Sequence, residues 1–171
     1  MSLTDEAIKL RRAQSGDAGD IIAFIRELAD YENLTHEVVA SEQALQTALF
    51  GESPAAEVII ADYAGEPAGF ALFFTTFSTF LGQPGIWLED LFVRPARRGA
   101  GIGRALLAEI AQIACDRGFG RLEWSVLDWN EPAIGFYRRM GAAAMDEWTT
   151  YRVTGDELAA LARSKAVQPT D

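Results

Sequence analysis

Hydrophobic and polar residues along the chain follow two periods, one typical of helices and one typical of strands. Apolar side chains recur at helical spacing after Asp17, a residue type that favours helix starts. The predicted helices run from Asp17 through Leu28, from Ser41 to about Gly51, and over Ala105–Arg117, Asn130–Met140 and Thr154–Ala162. The predicted strands are Lys9–Ala13, Val58–Tyr63, Ala68–Phe77, Ile86–Val93, Arg121–Leu127 and Trp148–Val153.

The order of these elements predicts an α/β fold around one sheet of about six to seven strands, flanked by helices. Gly65 and Gly82 lie between consecutive strands and predict hairpins, so the sheet should be mixed. A chain of 171 residues is expected to form a single domain over residues 1–171, with a frayed tail at 164–171.

Composition excludes several classes of protein. No apolar run approaches the roughly 20 residues of a membrane span, and the acidic start of the chain lacks the pattern of a signal peptide. The chain has one histidine, His36, and one cysteine, Cys115, which excludes an internal disulfide and a His/Cys zinc site. We therefore expect a cytoplasmic protein with no metal and no membrane partner, in which Cys115 is a small core residue.

Charge is distributed unevenly along the chain. Residues 1–66 carry thirteen acidic and four basic side chains, whereas residues 67–171 are nearly balanced. Six of the thirteen arginines flank two short segments: Arg94, Arg97, Arg98, Arg104, Arg138 and Arg139. An acidic protein with a local basic site is a poor partner for nucleic acid. The asymmetry suits a phosphorylated cofactor and a cationic substrate, and the alternative is that the acidic balance only serves solubility.

The segment Arg98–Arg104, with the sequence RGAGIGR, connects a predicted strand to a predicted helix. Its glycines leave backbone N–H groups accessible, and a helix N-terminus adds partial positive charge, so the segment suits a pyrophosphate. It is not a P-loop, because no Gly-Lys-Ser/Thr follows, and it is not the dinucleotide fingerprint, because Arg104 replaces the third glycine. The alternative is a glycine-rich turn at the start of a surface helix.

Arg98, Gly101 and Gly103 match the motif Arg/Gln-x-x-Gly-x-Gly/Ala, which resembles the coenzyme A loop of the GNAT superfamily of N-acetyltransferases. Longer segments resemble the diamine (polyamine) N-acetyltransferases and their thialysine-acetylating relatives: Glu27–Glu32, Leu88–Val93 and Leu127–Ala142. The resemblance runs from about Lys9 to about Val153 and implies the GNAT fold. In that fold two central strands splay, here Ile86–Val93 and Arg121–Leu127, and the pantetheine of the cofactor lies in the gap.

The resemblance implies acetyl-CoA as the cofactor. Gly99 through Arg104 would hold the pyrophosphate, and the strand backbone at Leu91–Val93 would pair with the pantetheine like an added strand. Asn130 and Ala133 resemble a second cofactor contact. The implied cofactor-binding residues are Leu91, Phe92, Val93, Arg98, Gly99, Ala100, Gly101, Ile102, Gly103, Arg104, Asn130, Ala133 and Tyr137.

Two residues are candidate catalytic groups. Alkyl amines have a pKa of about 10 and therefore arrive at the enzyme as charged ammonium groups. The amine must lose a proton to attack the thioester, and a carboxylate can accept that proton, often through a water molecule. Glu89 resembles the family's base, and the alternative is a structural carboxylate paired with an arginine. Tyr137 resembles the tyrosine that protonates the departing sulfur, and the alternative is a tyrosine that only packs under its helix. A phenol stays protonated at neutral pH and can donate.

The resemblance also implies an acceptor site, partly on the splayed strand. Its residues are Tyr31, Glu32, Glu89, Glu123, Trp124 and Ser125. Near Trp148 the chain departs from the family pattern, because Asp146-Glu147-Trp148 stands where the family has Glu-Gly-Trp. This leaves open which of Asp146 and Glu147, if either, contacts the distal amine.

The sequence therefore predicts an acetyl-CoA-dependent N-acetyltransferase for a primary amine of a small cationic acceptor, such as a diamine or polyamine. One alternative is an enzyme for amino-acid-like amines such as thialysine or other lysine analogues. Another is a non-catalytic acyl-CoA-binding sensor, although the presence of both Glu89 and Tyr137 argues against it. The resemblance and an apolar C-terminal helix containing Leu158 and Leu161 predict a homodimer.

Overall fold

The computed structural model describes residues 8–164. The chain divides into a first unit that ends at Ser125 and a second unit that begins at Val126. The predicted single domain stays a prediction, and the predicted frayed tail lies, beyond Ser164, outside the described residues.

The first unit is built on a five-stranded sheet in the order β1-β2-β3-β4-β5. The strands are β1 (Ile8–Arg12), β2 (Glu57–Tyr63), β3 (Glu66–Ser78), β4 (Gln83–Val93) and β5 (Leu122–Glu123). The first four pair antiparallel and β5 runs parallel to β4, which confirms the predicted mixed sheet. Left-handed backbone at Ala64 and Gly65, with φ of +52° and +85°, closes the β2–β3 hairpin.

Within residues 8–125 the α-helices are α1 (Ala18–Tyr31), α2 (Glu42–Phe50) and α3 (Ile102–Asp116). Ser41 caps α2 as predicted, because its hydroxyl accepts the N–H of Ala44 at 3.1 Å. Asp17 precedes α1 as predicted but does not cap it. Its carboxylate instead accepts the N–H of Gln14 and pairs with Arg11, which holds the pKa of Asp17 below its usual range.

Both faces of the central strand β3 are buried between helices over Ala68–Phe73. One face forms a core with α1 and α2 that contains Ile21, Phe24, Leu49, Val58, Ile60, Phe70, Leu72 and Phe92. The rings of Phe24 and Phe70 stack with centroids 5.3 Å apart. Helix α3 packs against β3 and β4 with a buried stripe of Leu106, Leu107, Ile110, Ile113 and Ala114.

Three predictions about local structure are wrong. Cys115 is exposed, because it lies one residue past the buried stripe of α3 and helical rotation turns it to solvent. The strand predicted at Arg121–Leu127 is reduced to Leu122–Glu123. Trp148–Val153 has no regular structure, since it is exposed and finds no neighbouring strand within residues 8–164. The sheet of the described chain therefore has five strands instead of six to seven.

The second unit contains helices α4 (Glu131–Arg139) and α5 (Gly155–Arg163). Asn130 caps α4, because its side-chain oxygen accepts the N–H of Ala133 at 3.4 Å. Pro132 in the first turn has the backbone angle that a helix start requires, and Gly141 takes φ of +90° just after the helix end. Helix α4 thus lies close to its predicted bounds.

No helix within residues 8–164 combines the length and the apolar character that a membrane crossing requires.

Candidate active site

Strand β4 contains a β-bulge at Glu89. Opposite it on β3, Leu72 pairs with Asp90 and Phe73 pairs with Leu88, so Glu89 is an extra residue. Directly paired residues of antiparallel strands project from the same face. Asp90 therefore shares the face of Leu72, which is the face covered by α1, whereas Leu88 lies on the opposite face with Phe73.

The carboxylate of Glu89 is held by a neighbouring indole. The Nε1–H of Trp87 donates to Oε2 of Glu89 at 2.9 Å, and Glu89 is exposed to solvent. An indole N–H can only donate, so this contact orients the carboxylate with Oε2 toward Trp87. None of the ion pairs within residues 8–164 includes Glu89, so the alternative of an arginine-paired structural carboxylate is not what the described chain shows.

Three carboxylates interact at the bulge, and one of them was not predicted. Burial, together with the negative charges of Glu89 and Glu32, raises the pKa of Asp90 to about 7. Burial also raises the pKa of Glu32, which directly follows α1. A partly buried group of like charges is costly unless a cation neutralises it, so the site suits an ammonium ligand. The sequence signal for Asp90 is an acid inside the apolar run Ile86–Val93.

Replacing Asp90 by asparagine should stabilise the protein in a pH-dependent way. The raised pKa means that the folded protein holds this proton more tightly than the unfolded chain does, so wild-type stability falls as pH rises from about 4 to about 7. Asparagine does not ionise, so the Asp90→Asn variant does not lose this part of its stability as pH rises. We expect the melting temperature of Asp90→Asn to exceed that of the wild type by a few degrees near pH 8, equivalent to about 2 kcal/mol.

The same comparison near pH 3 should show almost no difference, because Asp90 is then protonated in the folded protein and mostly protonated in the unfolded chain. Glu66→Gln, at the exposed start of β3, controls for the removal of one negative charge from an acidic protein. Equal stabilisation at both pH values, or by both substitutions, would contradict the raised pKa of Asp90.

The glycine-rich segment forms an open loop in front of α3. Gly99 and Gly101 take φ of +83° and +87°, a left-handed backbone that favours glycine. Gly101 is the N-cap of α3, and a Cβ added at Gly99 or Gly101 would meet nothing within 4 Å. The first N–H groups of this 15-residue helix have no partner one turn earlier in the helix. Accessible N–H groups at a helix N-terminus are the type of site that binds a pyrophosphate, and the role of this loop in coenzyme A binding stays a prediction.

Arg98 directs its side chain back toward β4 and α1. Its Nε donates to the carbonyl oxygen of Val93 at 3.0 Å, and its guanidinium lies 4.7 Å from the ring centroid of Tyr31. Tyr31 is the last residue of α1 and precedes Glu32. The structure thus brings together Arg98 of the loop, Val93 of β4 and Tyr31 of the predicted acceptor site.

The pairing of β4 with β5 is short. It covers only Ile86 with Leu122 and Trp87 with Glu123, whereas Leu91–Val93 pair with β3 on the other side of the strand. This geometry agrees with strands that part beyond Trp87, as the splayed strands of the implied fold do. On β5, Glu123 forms an ion pair with Arg121 at 3.2 Å, so its charge is partly offset. Trp124 and Ser125 follow it without regular structure.

The remaining predicted residues lie in the second unit. Tyr137 is on α4, where its ring is 5.3 Å from that of Phe136, and Asn130 and Ala133 form the start of that helix. Asp146, Glu147 and Trp148 are exposed in the segment between α4 and α5. The roles of these residues toward cofactor and acceptor stay predictions.

Comparisons with known proteins agree with this architecture. The model of the acetyltransferase (GNAT) family matches residues 21–142. Thialysine N-epsilon-acetyltransferase from Bos taurus is 38% identical, over 91% of this chain and 97% of that protein. L-ornithine N5-acetyltransferase from Arabidopsis thaliana is 32% identical, over 90% of this chain and 87% of that protein. Among solved structures, an integron cassette protein from the mobile metagenome of V. cholerae is 30% identical with a TM-score of 0.77, over 92% and 98% of the two chains.

Proposed function

The chain belongs to the GNAT family of acetyltransferases, and on that basis we propose that it acetylates a terminal primary amine of a small acceptor that carries a second positive charge. Acetyl-CoA is the acyl donor of the family. A diamine or polyamine is the first candidate acceptor. The observation that carries this choice is the group of three interacting carboxylates, Glu32, Glu89 and Asp90, at the bulge of β4.

Cofactor binding draws on backbone groups of the first unit. The left-handed loop at Gly99 and Gly101 and the N-terminus of α3 favour a pyrophosphate. The edge of β4 at Leu91–Val93 offers backbone groups for pairing with amides, in the manner of an added strand. The thioester of acetyl-CoA supplies the activated acetyl group when it is bound.

The carboxylates have separate tasks in this proposal. Glu89, oriented by Trp87, accepts the proton of the attacking ammonium, directly or through a water molecule. Glu32 and Asp90 neutralise the second ammonium of the acceptor, which offsets the cost of its desolvation. Binding of a cation in turn lowers the pKa of Asp90 from about 7, so that all three groups carry negative charge in the complex.

An amino-acid-like acceptor is the second candidate function. It is favoured by the two relatives, which are a thialysine N-epsilon-acetyltransferase and an L-ornithine N5-acetyltransferase. Such an acceptor also has a carboxylate, which the acidic groups at the bulge would repel unless a cation pairs with it. Steady-state kinetics with a diamine, thialysine, ornithine and lysine as acceptors, followed by thiol release, will separate the two candidates.

A diamine should be a much better acceptor than a monoamine of the same length. Pairing of a desolvated second ammonium with Glu32 and Asp90 should favour the diamine by about ten-fold or more in kcat/KM, equivalent to about 1.4 kcal/mol. Glu32→Gln should lower kcat/KM for the diamine and leave the monoamine nearly unaffected. Equal kcat/KM for diamine and monoamine in the wild type would show that the acceptor site does not recognise the second charge.

Homodimer formation is proposed from the family resemblance and from exposed apolar residues of the second unit. Leu158 and Leu161 on α5 are 53% and 60% exposed, and Trp148 is 72% exposed. Large apolar side chains this exposed would be covered by a partner subunit, which motivates the proposal. We expect a dimer in sedimentation velocity at micromolar concentration, and we expect Leu161→Glu to shift the protein toward monomer. A wild type that sediments only as a monomer would contradict this prediction.

A further inference from the structure

We propose that Arg98 is a positioning residue for the acceptor amine, which it serves by fixing Tyr31 and Glu32 at the end of α1. The motif alone assigns Arg98 to the cofactor loop, so this role is a different one. It rests on the proposed N-acetyltransferase function, since it concerns the amine side of that site.

Arg98 contacts residues that lie outside the glycine-rich loop. The backbone N–H of Arg98 donates to the carbonyl oxygen of Pro95 at 3.2 Å, and its Nε donates to that of Val93 at 3.0 Å. The guanidinium carbon lies 4.7 Å from the ring centroid of Tyr31 and 5.7 Å from that of Phe92. Arg98 therefore connects the start of the loop, the end of β4 and the last residue of α1.

This position matters because Glu32 comes directly after Tyr31. The negative charge of Glu32 contributes to the raised pKa of Asp90 on the bulge of β4, so the two carboxylates are electrostatically coupled. The guanidinium of Arg98 lies near both the Tyr31 ring and the Phe92 ring of β4, so it restrains the end of α1 relative to β4. Without the contact between Arg98 and Tyr31, the end of α1 is less restrained, and Glu32 and Asp90 no longer keep the relative position that binds one ammonium.

An arginine is well suited to this task. A cation over an aromatic ring contributes about 0.5–2 kcal/mol, and the guanidinium stays charged at every physiological pH. Its flat face covers the ring while its edge keeps a hydrogen bond to a carbonyl, which a lysine cannot do simultaneously with the same geometry. Because the loop carries Arg98, ordering of the loop by a cofactor also favours the amine site, and linkage makes this coupling reciprocal.

The neighbouring Arg97 offers a matched control. Its guanidinium lies 5.1 Å from the ring centroid of Tyr63, which is at the end of β2 and not on α1. The two pairs are chemically alike and adjacent along the chain, but it is the aromatic partner of Arg98, Tyr31, that directly precedes Glu32. Arg97→Met should therefore leave the KM for the amine unchanged.

A double-mutant cycle tests the role of Arg98. Arg98→Met, Tyr31→Leu and the double variant are compared by kcat and KM for a diamine at saturating acetyl-CoA. We expect each single substitution to lower kcat/KM by about three- to thirty-fold, mainly through KM. The double variant should be little worse than either single variant, because both remove the same contact. Tyr31→Phe, which keeps the ring face, should preserve the full effect of Arg98→Met.

Calorimetry of coenzyme A binding without amine supplies the second readout. Because Arg98 is also an implied cofactor-binding residue, this affinity sets the acetyl-CoA concentration that saturates each variant in the amine kinetics, and Arg98→Lys should recover part of the amine KM. Thermal melts verify that each variant is folded. Additive effects of Arg98→Met and Tyr31→Leu on the amine would overturn the inference, and so would an unchanged amine KM with a loss of coenzyme A affinity. A wild type that acetylates no amine would overturn the proposed function as well.

Discussion

Replacing Tyr137 by phenylalanine is expected to slow turnover by roughly ten- to a thousand-fold, the range for loss of one acid or oxyanion donor. The phenol O–H holds the proton that a departing thiolate needs, and it is useful only as charge develops on that sulfur. Because the ring is retained, the contact with Phe136 and the fold should survive. Single-turnover kinetics, in which acyl transfer limits the rate, will measure the effect, and acetyl-CoA affinity should stay within a few-fold of wild type.

Tyr151→Phe is the matched control for this substitution, because Tyr151 is also in the second unit and is 91% exposed. It should turn over at the wild-type rate. Glu89→Gln tests the amine side, and its defect should shrink at higher pH, where more of the amine arrives deprotonated. Wild-type turnover of Tyr137→Phe, measured where acyl transfer limits the rate, would show that this tyrosine only packs under its helix.

Replacing Gly101 by aspartate is expected to weaken acetyl-CoA binding on the order of a hundred-fold. A carboxylate at the N-cap of α3 would lie within a few ångströms of the pyrophosphate, and repulsion at that distance costs about 3 kcal/mol. The fold should tolerate the change, because an added Cβ meets nothing within 4 Å and aspartate adopts left-handed backbone more readily than most residues. Isothermal titration calorimetry with coenzyme A will measure the loss.

Two controls isolate the charge from the backbone. Gly101→Asn has nearly the same size and backbone preference as Gly101→Asp but no charge, so its loss of affinity should be much smaller. Gly65→Asp introduces aspartate at another glycine with open surroundings and φ of +85°, in the β2–β3 hairpin, and should leave affinity unchanged. A folded Gly101→Asp protein with wild-type affinity for coenzyme A would show that this loop does not bind the pyrophosphate.

The sequence predicted the parts of the fold whose determinants are local. Ser41 and Asn130 mark helix starts, and the glycines of the α3 loop mark a turn, because each acts on backbone groups within a few residues. The strands predicted at Arg121–Leu127 and Trp148–Val153 depended on pairing with distant segments. Hydrophobic pattern does not specify that pairing, so both were overestimated.

The same contrast between local and long-range determinants applies to the candidate site. Glu89, Tyr31 and the loop were found through motifs that are contiguous in sequence. Asp90 was missed because its pKa depends on burial and on Glu32, which is far away along the chain. The pairing of Glu123 with Arg121 and the contact of Arg98 with Tyr31 depend on side-chain direction, which sequence spacing alone does not give.

The extra residue Glu89 shifts the alternation of side chains by one position between the two halves of β4. Leu88 and Asp90 are two positions apart and would share a face in a regular strand, yet the bulge assigns one to each side of the sheet. If this stretch of β4 paired without the bulge, Leu88 and Asp90 would share one face, and either the core leucine or the site carboxylate would leave its present surroundings.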